Sequence, residues 1–311
     1  MKTNVGKPLD LSGSLKQGRP FVKMHGLRND FVIVDARQEA YRPSVPEIVG
    51  ICDRRAGVGA DELLIMEPPR LKTKAHYAFV RILNPDGREV EACGNATRCV
   101  AWLFIQESGM NQVTVETMGG TLTCQGRGQK QVNVNMGSLR THWHDIPLAR
   151  EMDTLHLNIS AGPLHDPVGM NVGNPHAVFF VDDLSRIDLR QWGQTLQKHP
   201  LFPEEANIGV AQVMDDTTLA LSVWERPGSL TTACGTGACA AVGAAYRRGL
   251  ITQKRIKVNM PAGSVDIELM GDGTVEMTGP VEVCYTGFLP AHWQTISPET
   301  TRGAQRSMNI Q

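Results

Sequence analysis

The 311-residue chain lacks an excess of either charge: 31 lysines and arginines face 32 aspartates and glutamates. No net field is available to hold a polyanion or an anionic membrane, so nucleic acid and membrane surfaces are disfavoured as partners. Long apolar runs are missing too. The opening MKTNVGKPLDLSGSLKQGRP has no apolar core of roughly 7 to 15 residues to act as a secretory leader, and nowhere do roughly 18 apolar residues follow one another. The expectation is a cytoplasmic protein without a membrane span. None of the seven cysteines forms a CxxC pair, and their number is odd. A disulfide scaffold is therefore disfavoured and a reducing compartment favoured.

What is present is an ordinary globular composition, 41% hydrophobic with 31 glycines besides, and a length that suggests about two domains. Polar, Gly- and Pro-containing sequence at residues 1–20 and polar sequence at 291–311 read as extensions. Between them the chain repeats itself once. Ala92-Cys93-Gly94-Asn95 is matched 141 residues later by Ala233-Cys234-Gly235-Thr236, and nine residues before each cysteine stands a turn, Asn84-Pro85-Asp86-Gly87 or Glu225-Arg226-Pro227-Gly228. After each cysteine comes a helix-like run that ends near Gly109 or Gly249, followed by QVTVETMGGTL or RIKVNMPAGSV. Further upstream NDFVIVD (29–35) resembles HAVFFVD (176–182), and Gly59-Ala60-Asp61 resembles Glu205-Ala206-Asn207.

Alternating runs at 132–136, 219–224 and 265–269 indicate half-buried strands. Val100, Leu103 and Phe104 in one half, and Ala240, Ala241 and Val242 in the other, give the Cys-led helices apolar faces. The expected fold class is α+β, with two pseudo-symmetric domains from an internal duplication. Each would be a curved, mostly antiparallel sheet around a central helix. The boundaries expected are 21–139 with a last strand 278–290 for the first domain, and 140–277 for the second.

A lone buried cysteine is ordinarily a small hydrophobe, and Cys52, Cys99, Cys124, Cys239 and Cys284 are assigned to that class. Cys93 and Cys234 differ because each stands where a loop enters a helix. Free N–H groups and the positive end of the dipole favour a thiolate there, lowering the thiol pKa, and can also grip a carboxylate. Two such ends facing one another offer a specific chemistry. One sulfur removes an α-proton while the other supplies a proton to the opposite face, and the helix N–H groups stabilise the charge that develops on the carboxylate. That inverts a stereocentre without a cofactor or a metal.

MHGLRNDFVIVDAR (24–37), GVGADELLIME, NPDGREVEACGNATRC, NVGNPHAVFFVDD, ANIGVAQV and ERPGSLTTACGTGACAA together resemble the diaminopimelate epimerase family, in its order, over about 270 residues. The resemblance implies a cofactor-independent, homodimer-prone epimerase that interconverts LL- and meso-2,6-diaminopimelate in lysine and peptidoglycan precursor synthesis. It implies Cys93 and Cys234 as the acid/base pair, and Gly94, Asn95, Gly235 and Thr236 as the cradle of the reacting carboxylate. Asn29 and Glu62 would lie near the reacting amino group. Asn84, Asn174, Asn207 and Arg226 would hold the distal carboxylate, with Glu225 opposite the distal ammonium. His176 and Glu225 would polarise the thiols. Proline racemases and phenazine-pathway isomerases should share the fold.

Four positions depart from the family's usual pattern: Arg28 and Glu62 stand where Gly and Gln or Gly are common, Pro85 follows Asn84, and Pro227 interrupts the usual ERGxGxT. They cluster at the two ends of the implied substrate. The alternatives are a related cofactor-independent amino-acid racemase and a non-catalytic amino-acid-binding homologue. Against the first, a substrate without a distal carboxylate would strand the amide and guanidinium donors, at about 1–3 kcal/mol each.

Overall fold

The computed structural model describes residues 18–70, 76–91, 93–226 and 228–290. Most of the expected extension 1–20, the tail 291–311 and Pro227 lie outside the described residues. Residues 19 and 20 already belong to the first strand.

The sequence repeat is a repeat of strand order. The first half runs β1 (Arg19–Gly26), β2 (Asn29–Asp35), α1 (Val45–Cys52), β3 (Glu62–Glu67), β4 (His76–Leu83), β5 (Glu89–Val90), α2 (Gly94–Ser108), β6 (Gln112–Thr117), β7 (Gly120–Gly126) and β8 (Gln131–Ser138). A small hairpin of β9 (Ser160–Ala161) and β10 (Leu164–His165) follows. The second half then gives β11 (Val168–Asn171), β12 (Pro175–Phe180), α3 (Leu189–Gln197), β13 (Asn207–Asp215), β14 (Thr218–Glu225), β15 (Ser229–Thr231), α4 (Gly235–Arg247), β16 (Arg255–Met260), β17 (Gly263–Leu269) and β18 (Thr274–Pro280). The last strand, β19 (Glu282–Leu289), pairs antiparallel with β1.

Pairing is the same in both halves. An antiparallel pair (β1·β2, β11·β12) leads to a parallel one (β2·β3, β12·β13), with the outer helix α1 or α3 in the crossover. A second parallel pair (β4·β6, β14·β16) has α2 or α4 in its crossover, as parallel neighbours require. The equivalent strands β8 and β18 then pair antiparallel with each other, the relation that a local two-fold axis between them demands. Seventeen strands thereby form one connected sheet.

Register sharpens the sequence alignment. Phe31 faces Glu62 at the start of β2·β3, and His176 faces Asn207 at the start of β12·β13. Phe31 is therefore the counterpart of His176, two residues from the match NDFVIVD/HAVFFVD. Glu62, not Asp61, is the counterpart of Asn207. The first shift, of two residues, keeps every side chain of the strand on its own face of the sheet, so the hydrophobic pattern is blind to it; the second, of one residue, falls at the first position of β3, ahead of the buried run Leu63 to Met66.

Each Cys-led helix is wrapped by its own half. Asn95 through Ala101 of α2 are all buried, and so are Gly237 through Ala245 of α4. These helices are central rods rather than surface helices with one apolar stripe, which is why short Ala and Gly side chains dominate α4. Ala96, Val100 and Phe104 pack with Val80, Ile82, Val113 and Val134, and Ala238, Ala241 and Val242 pack with Val168, Val258 and Ile267. The outer helices cover the other faces of β2–β3 and β12–β13. Ser44 caps α1, accepting from the Glu47 N–H. Gly109 ends α2 at φ 70°, in the left-handed region open to glycine.

The two-residue turn between β1 and β2 binds the halves together. Leu27 is buried in the core of the second half, among Val168, Val223 and Met260. The turn places both Leu27 (φ 53°) and Arg28 (φ 65°) in the left-handed region, as the favoured hairpin geometry requires. Arg28 thus occupies, under strain, a position that suits the glycine usual in the resembling family. Arg28→Gly should raise stability by about 1 kcal/mol, read as a higher denaturant midpoint at unchanged slope. A lower midpoint would mean that the arginine side chain compensates for its backbone.

Candidate active site

Cys93 is the N-cap of α2 and Cys234 the N-cap of α4, both with extended backbone (φ −143° and −136°). The two helix starts converge on one side chain. A Cβ on Gly94 would lie 2.9 Å from Met277 Cε, and a Cβ on Gly235 would lie 2.9 Å from Met277 Sδ. The duplication thus brings both cysteine sites against the same methionine of β18.

Dipole and burial act on the thiols in opposite senses. Gly237 N–H donates to Cys234 Sγ at 3.3 Å and Thr236 Oγ1 lies 3.5 Å from the same sulfur. At Cys93 the equivalent N–H, that of Ala96, favours the thiolate without making a cap hydrogen bond. Burial and neighbouring carboxylates outweigh these donors and push both thiols well above the ordinary thiol range. The expectation of lowered thiol pKa values is therefore corrected: desolvation of an ion inside the fold exceeds a few N–H dipoles. Both cysteines rest as thiols.

A chain of hydrogen bonds orients Cys93. Arg98 Nη2 donates to Asn95 Oδ1 at 2.6 Å, Asn95 Nδ2 donates to Asn29 Oδ1 at 3.0 Å, and Asn29 Nδ2 donates to Asp61 Oδ2 at 3.1 Å. Guanidinium can only donate and carboxylate can only accept, so both amides have one consistent orientation. Cys93 Sγ donates to the same Asn29 Oδ1 at 3.6 Å. Asp61 is held in turn by Arg54, which also holds Asp30; Lys23 binds Asp30 from the other side. Burial raises the Asp30 pKa, but Arg54 and Lys23 outweigh it and hold the carboxyl well below its usual range.

Sequence reasoning missed Arg98. It is fully buried, its Nη1 lies 3.4 Å from Met277 Sδ, and its Nε has no hydrogen-bond partner among the described residues. The sequence places this arginine one turn into the helix led by Cys93, but the enclosure of that helix, which buries it, comes from the surrounding strands.

Glu62 faces Cys93. Burial, opposed by the neighbouring Cys93 thiol and reinforced by Asp61 and Glu225, raises its carboxyl to about 7. Its Oε2 is buried without a hydrogen-bond partner among the described residues. Glu225 accepts from Thr231 Oγ1 at 2.6 Å and hydrogen-bonds to Cys234; burial raises its pKa. Its charge is also felt at Cys93, so the carboxylate of one half reaches the thiol of the other.

Asn174, His176, Asn207 and Arg226 form a second cluster. His176 Nε2 lies 2.9 Å from Asn174 Oδ1 and 3.5 Å from Asn207 Nδ2, and Asn207 Oδ1 accepts from the Arg226 backbone N–H at 2.9 Å. The Arg226 guanidinium donates to the Glu204 carbonyl at 2.8 Å. Burial, with Arg226 nearby, lowers His176 to about 3, so it is neutral. The shorter contact assigns its proton to Nε2, leaving Nδ1 as a buried acceptor with no hydrogen-bond partner among the described residues. Asn84 opens the turn before β5: its carbonyl accepts from Gly87 N–H at 2.9 Å, and Pro85 sits at the position where its fixed φ is favoured.

Three points lie off the site. Cys284 is exposed on β19, a correction to its assignment among buried cysteines; β19 pairs with β1 alone among the described strands, and Val283 through Thr286 are all exposed, so both of its faces meet solvent there. A cavity of about 470 Å³ opens at the β8–β18 seam, lined by Arg127, Gln131, Arg255, Lys257 and Asp266 among others, and includes no residue of the thiol site. Among the described residues no three His, Cys, Asp or Glu side chains are placed to hold a metal ion.

Two predictions follow from burial. Asn95→Leu strands Arg98 Nη2 in the core and should cost about 2 kcal/mol or more by denaturant unfolding; a loss well under 1 would show that the guanidinium finds another partner. The second concerns pH. Glu62, raised from 4.5 to about 7, loses stabilisation as pH rises across that interval, whereas His176, lowered from 6.5 to about 3, loses it as pH falls. Between 4.5 and 6.5 the two oppose. Glu62→Gln removes one branch, so its stability relative to the parent should grow with pH from 4.5 to 7, by up to about 1.4 kcal/mol per pH unit. A pH-independent difference would mean that Glu62 does not titrate there.

Comparisons with known proteins point to one family. The profile of the family described as Diaminopimelate epimerase matches residues 21–142 and 168–284. The diaminopimelate epimerase of Rhodospirillum centenum is 49% identical over 271 residues, 87% of this chain and 92% of that one. That of Phenylobacterium zucineum is 43% identical over 281 residues, 89% and 100%. Among solved structures, a probable proline racemase from Agrobacterium radiobacter superposes with a TM-score of 0.63 at 16% identity, covering 90% and 94% of the two chains. A Bacillus anthracis protein of a phenazine biosynthesis family gives 0.59 at 14%, covering 88% and 99%. The latter two show the shared fold alone. With the family profile spanning both halves and relatives near half identity along almost the whole chain, this protein belongs to the diaminopimelate epimerase family.

Proposed function

We propose that the protein is an isomerase that interconverts LL- and meso-2,6-diaminopimelate, with Cys93 and Cys234 as its two acid/base groups. The observation that carries the reading is the convergence on Met277 of two helix starts, one from each half and each N-capped by a cysteine. The helix N-termini supply N–H groups for the reacting carboxylate, with Gly94, Asn95, Gly235 and Thr236 around it. One thiolate takes the α-proton and the opposing thiol returns one from the other face. Both thiols rest protonated, so one must be deprotonated before it acts. The bare Nδ1 of His176 and the carboxyl of Glu225 are the groups we assign to polarise the thiols.

The distal zwitterion is assigned to Asn84, Asn174, Asn207, Arg226 and Glu225. Arg226 donates to a backbone carbonyl, a bond that a carboxylate can replace with a stronger one. Asn29 and Glu62 remain assigned to the reacting amino group. A homodimer is part of the same proposal, supported by exposed Val283, Tyr285 and Phe288 on β19. So is a cytoplasmic location, supported by seven unpaired cysteines; no described helix is long and apolar enough to cross a membrane.

Incubation with LL-diaminopimelate in deuterated water should place deuterium at the α-carbon of the meso product. Cys93→Ala and Cys234→Ala should each lower epimerisation by at least about a thousandfold. Full turnover in either variant would defeat the two-thiol reading. Binding without any α-deuteration by the parent would favour an amino-acid-binding protein instead.

A further inference from the structure

The registers of the two halves reveal an exchange. Glu62 and Asn207 occupy the same place, the first residue of β3 or β13. Leu63 faces Leu83 and Ile208 faces Trp224, so Asn84 and Glu225, the next residues along, also occupy the same place. The first half thus carries a carboxylate on the third strand and an amide after the fourth. The second half carries the amide on the third strand and the carboxylate on the fourth. Each half still presents one carboxylate and one amide at the mouth of these strands, and each carboxylate reaches the thiol of its own half.

We propose that Glu62 is the proton acceptor of Cys93, so that the site consists of two thiol–carboxyl pairs, Cys93–Glu62 and Cys234–Glu225, related by the pseudo-dyad. The inference rests on the two-thiol reading, assigns Glu62 a duty beyond holding an ammonium, and gives it, in place of His176, the task of taking the proton of Cys93. The Cys93 S–H turns from Asn29 to Glu62; the S–H bond breaks, the proton passes to a Glu62 oxygen and sulfur keeps the electron pair. The thiolate then takes the α-proton, leaving the C–H pair on carbon, and Cys234 delivers its proton to the opposite face. Glu62 afterwards releases its proton to water and Cys234 takes one back, which restores both pairs. Oε2 suits the task, being buried with no hydrogen-bond partner among the described residues. The groups facing Glu62 are Cys93, Asp61 and Glu225; those facing Cys93 are Glu62, Glu225 and, with opposite charge, Arg98.

The test uses substrate-free full-length protein and iodoacetamide, with alkylation of each cysteine followed by peptide mass. Removing an adjacent carboxylate lowers the thiol pKa; the tenfold gain in thiolate per unit is partly offset by weaker nucleophilicity. Glu62→Gln should therefore alkylate Cys93 about threefold faster or more at pH 8, with exposed Cys284 unchanged as the internal control. In the epimerase assay, kcat/KM of the parent should rise with pH through an ionisation near 7, which Glu62→Gln abolishes and Glu62→Asp retains. Superimposable Cys93 alkylation profiles overturn the pair. So does a Glu62→Gln variant whose KM rises while both pH profiles stay as in the parent, because that is a substrate contact only. Alkylation is read without substrate, so the pair stands or falls there even if the diaminopimelate reading fails.

Discussion

Keeping an anion out of water is the constraint on which the site depends. Two thiols and two carboxyl groups share the interior of the fold, where the charged form of each is disfavoured. Burial raises Cys93, Cys234, Glu62 and Glu225 together. The N–H groups at the starts of α2 and α4 oppose this without reversing it. In a site so arranged ionisation is disfavoured at every one of these groups, and the ammonium and carboxylate of an amino acid would alter that balance. Cys99, Cys124 and Cys239, buried and pushed up to about 12, have no carboxylate acting on them among the described residues.

The fold supports this by enclosure. Each central helix is surrounded by its own half of the sheet, so the N-cap residue is presented at the seam rather than at the surface. The antiparallel join of β8 and β18 brings the seams together, and Met277 touches both helix starts. Leu27 pins the first half into the core of the second, and holding it there imposes the left-handed backbone of Arg28.

Duplication preserves positions better than residues. Cys93 and Cys234 coincide, as do Gly94 and Gly235, and also Asn29 and Asn174. At the two strand mouths, however, carboxylate and amide are exchanged. The electrostatic demand is one carboxylate per thiol, and either neighbouring strand can meet it.

Much of the fold was legible without coordinates. The offset of 141 residues between the cysteine motifs, the alternating strand runs and the glycines closing the helices all act locally or through repetition, and each names an element. The two cysteines were separable from the other five for the same reason, since loop-to-helix entry is written in adjacent residues. Enclosure was not legible. Whether a helix has one buried face or is buried throughout depends on strands dozens of residues away, and this decided that Arg98 is fully buried and that the thiols are raised rather than lowered. Register was not legible either: a two-residue slip leaves a strand's pattern intact, so pairing alone made Phe31 the counterpart of His176, and at the mouth of β3 pairing alone chose Glu62 over Asp61 as the counterpart of Asn207. The sequence by itself determined which groups exist and on which elements they stand. Only the tertiary structure decided which of them share a dry interior, because desolvation and hydrogen bonding depend on neighbours in space, not in the chain.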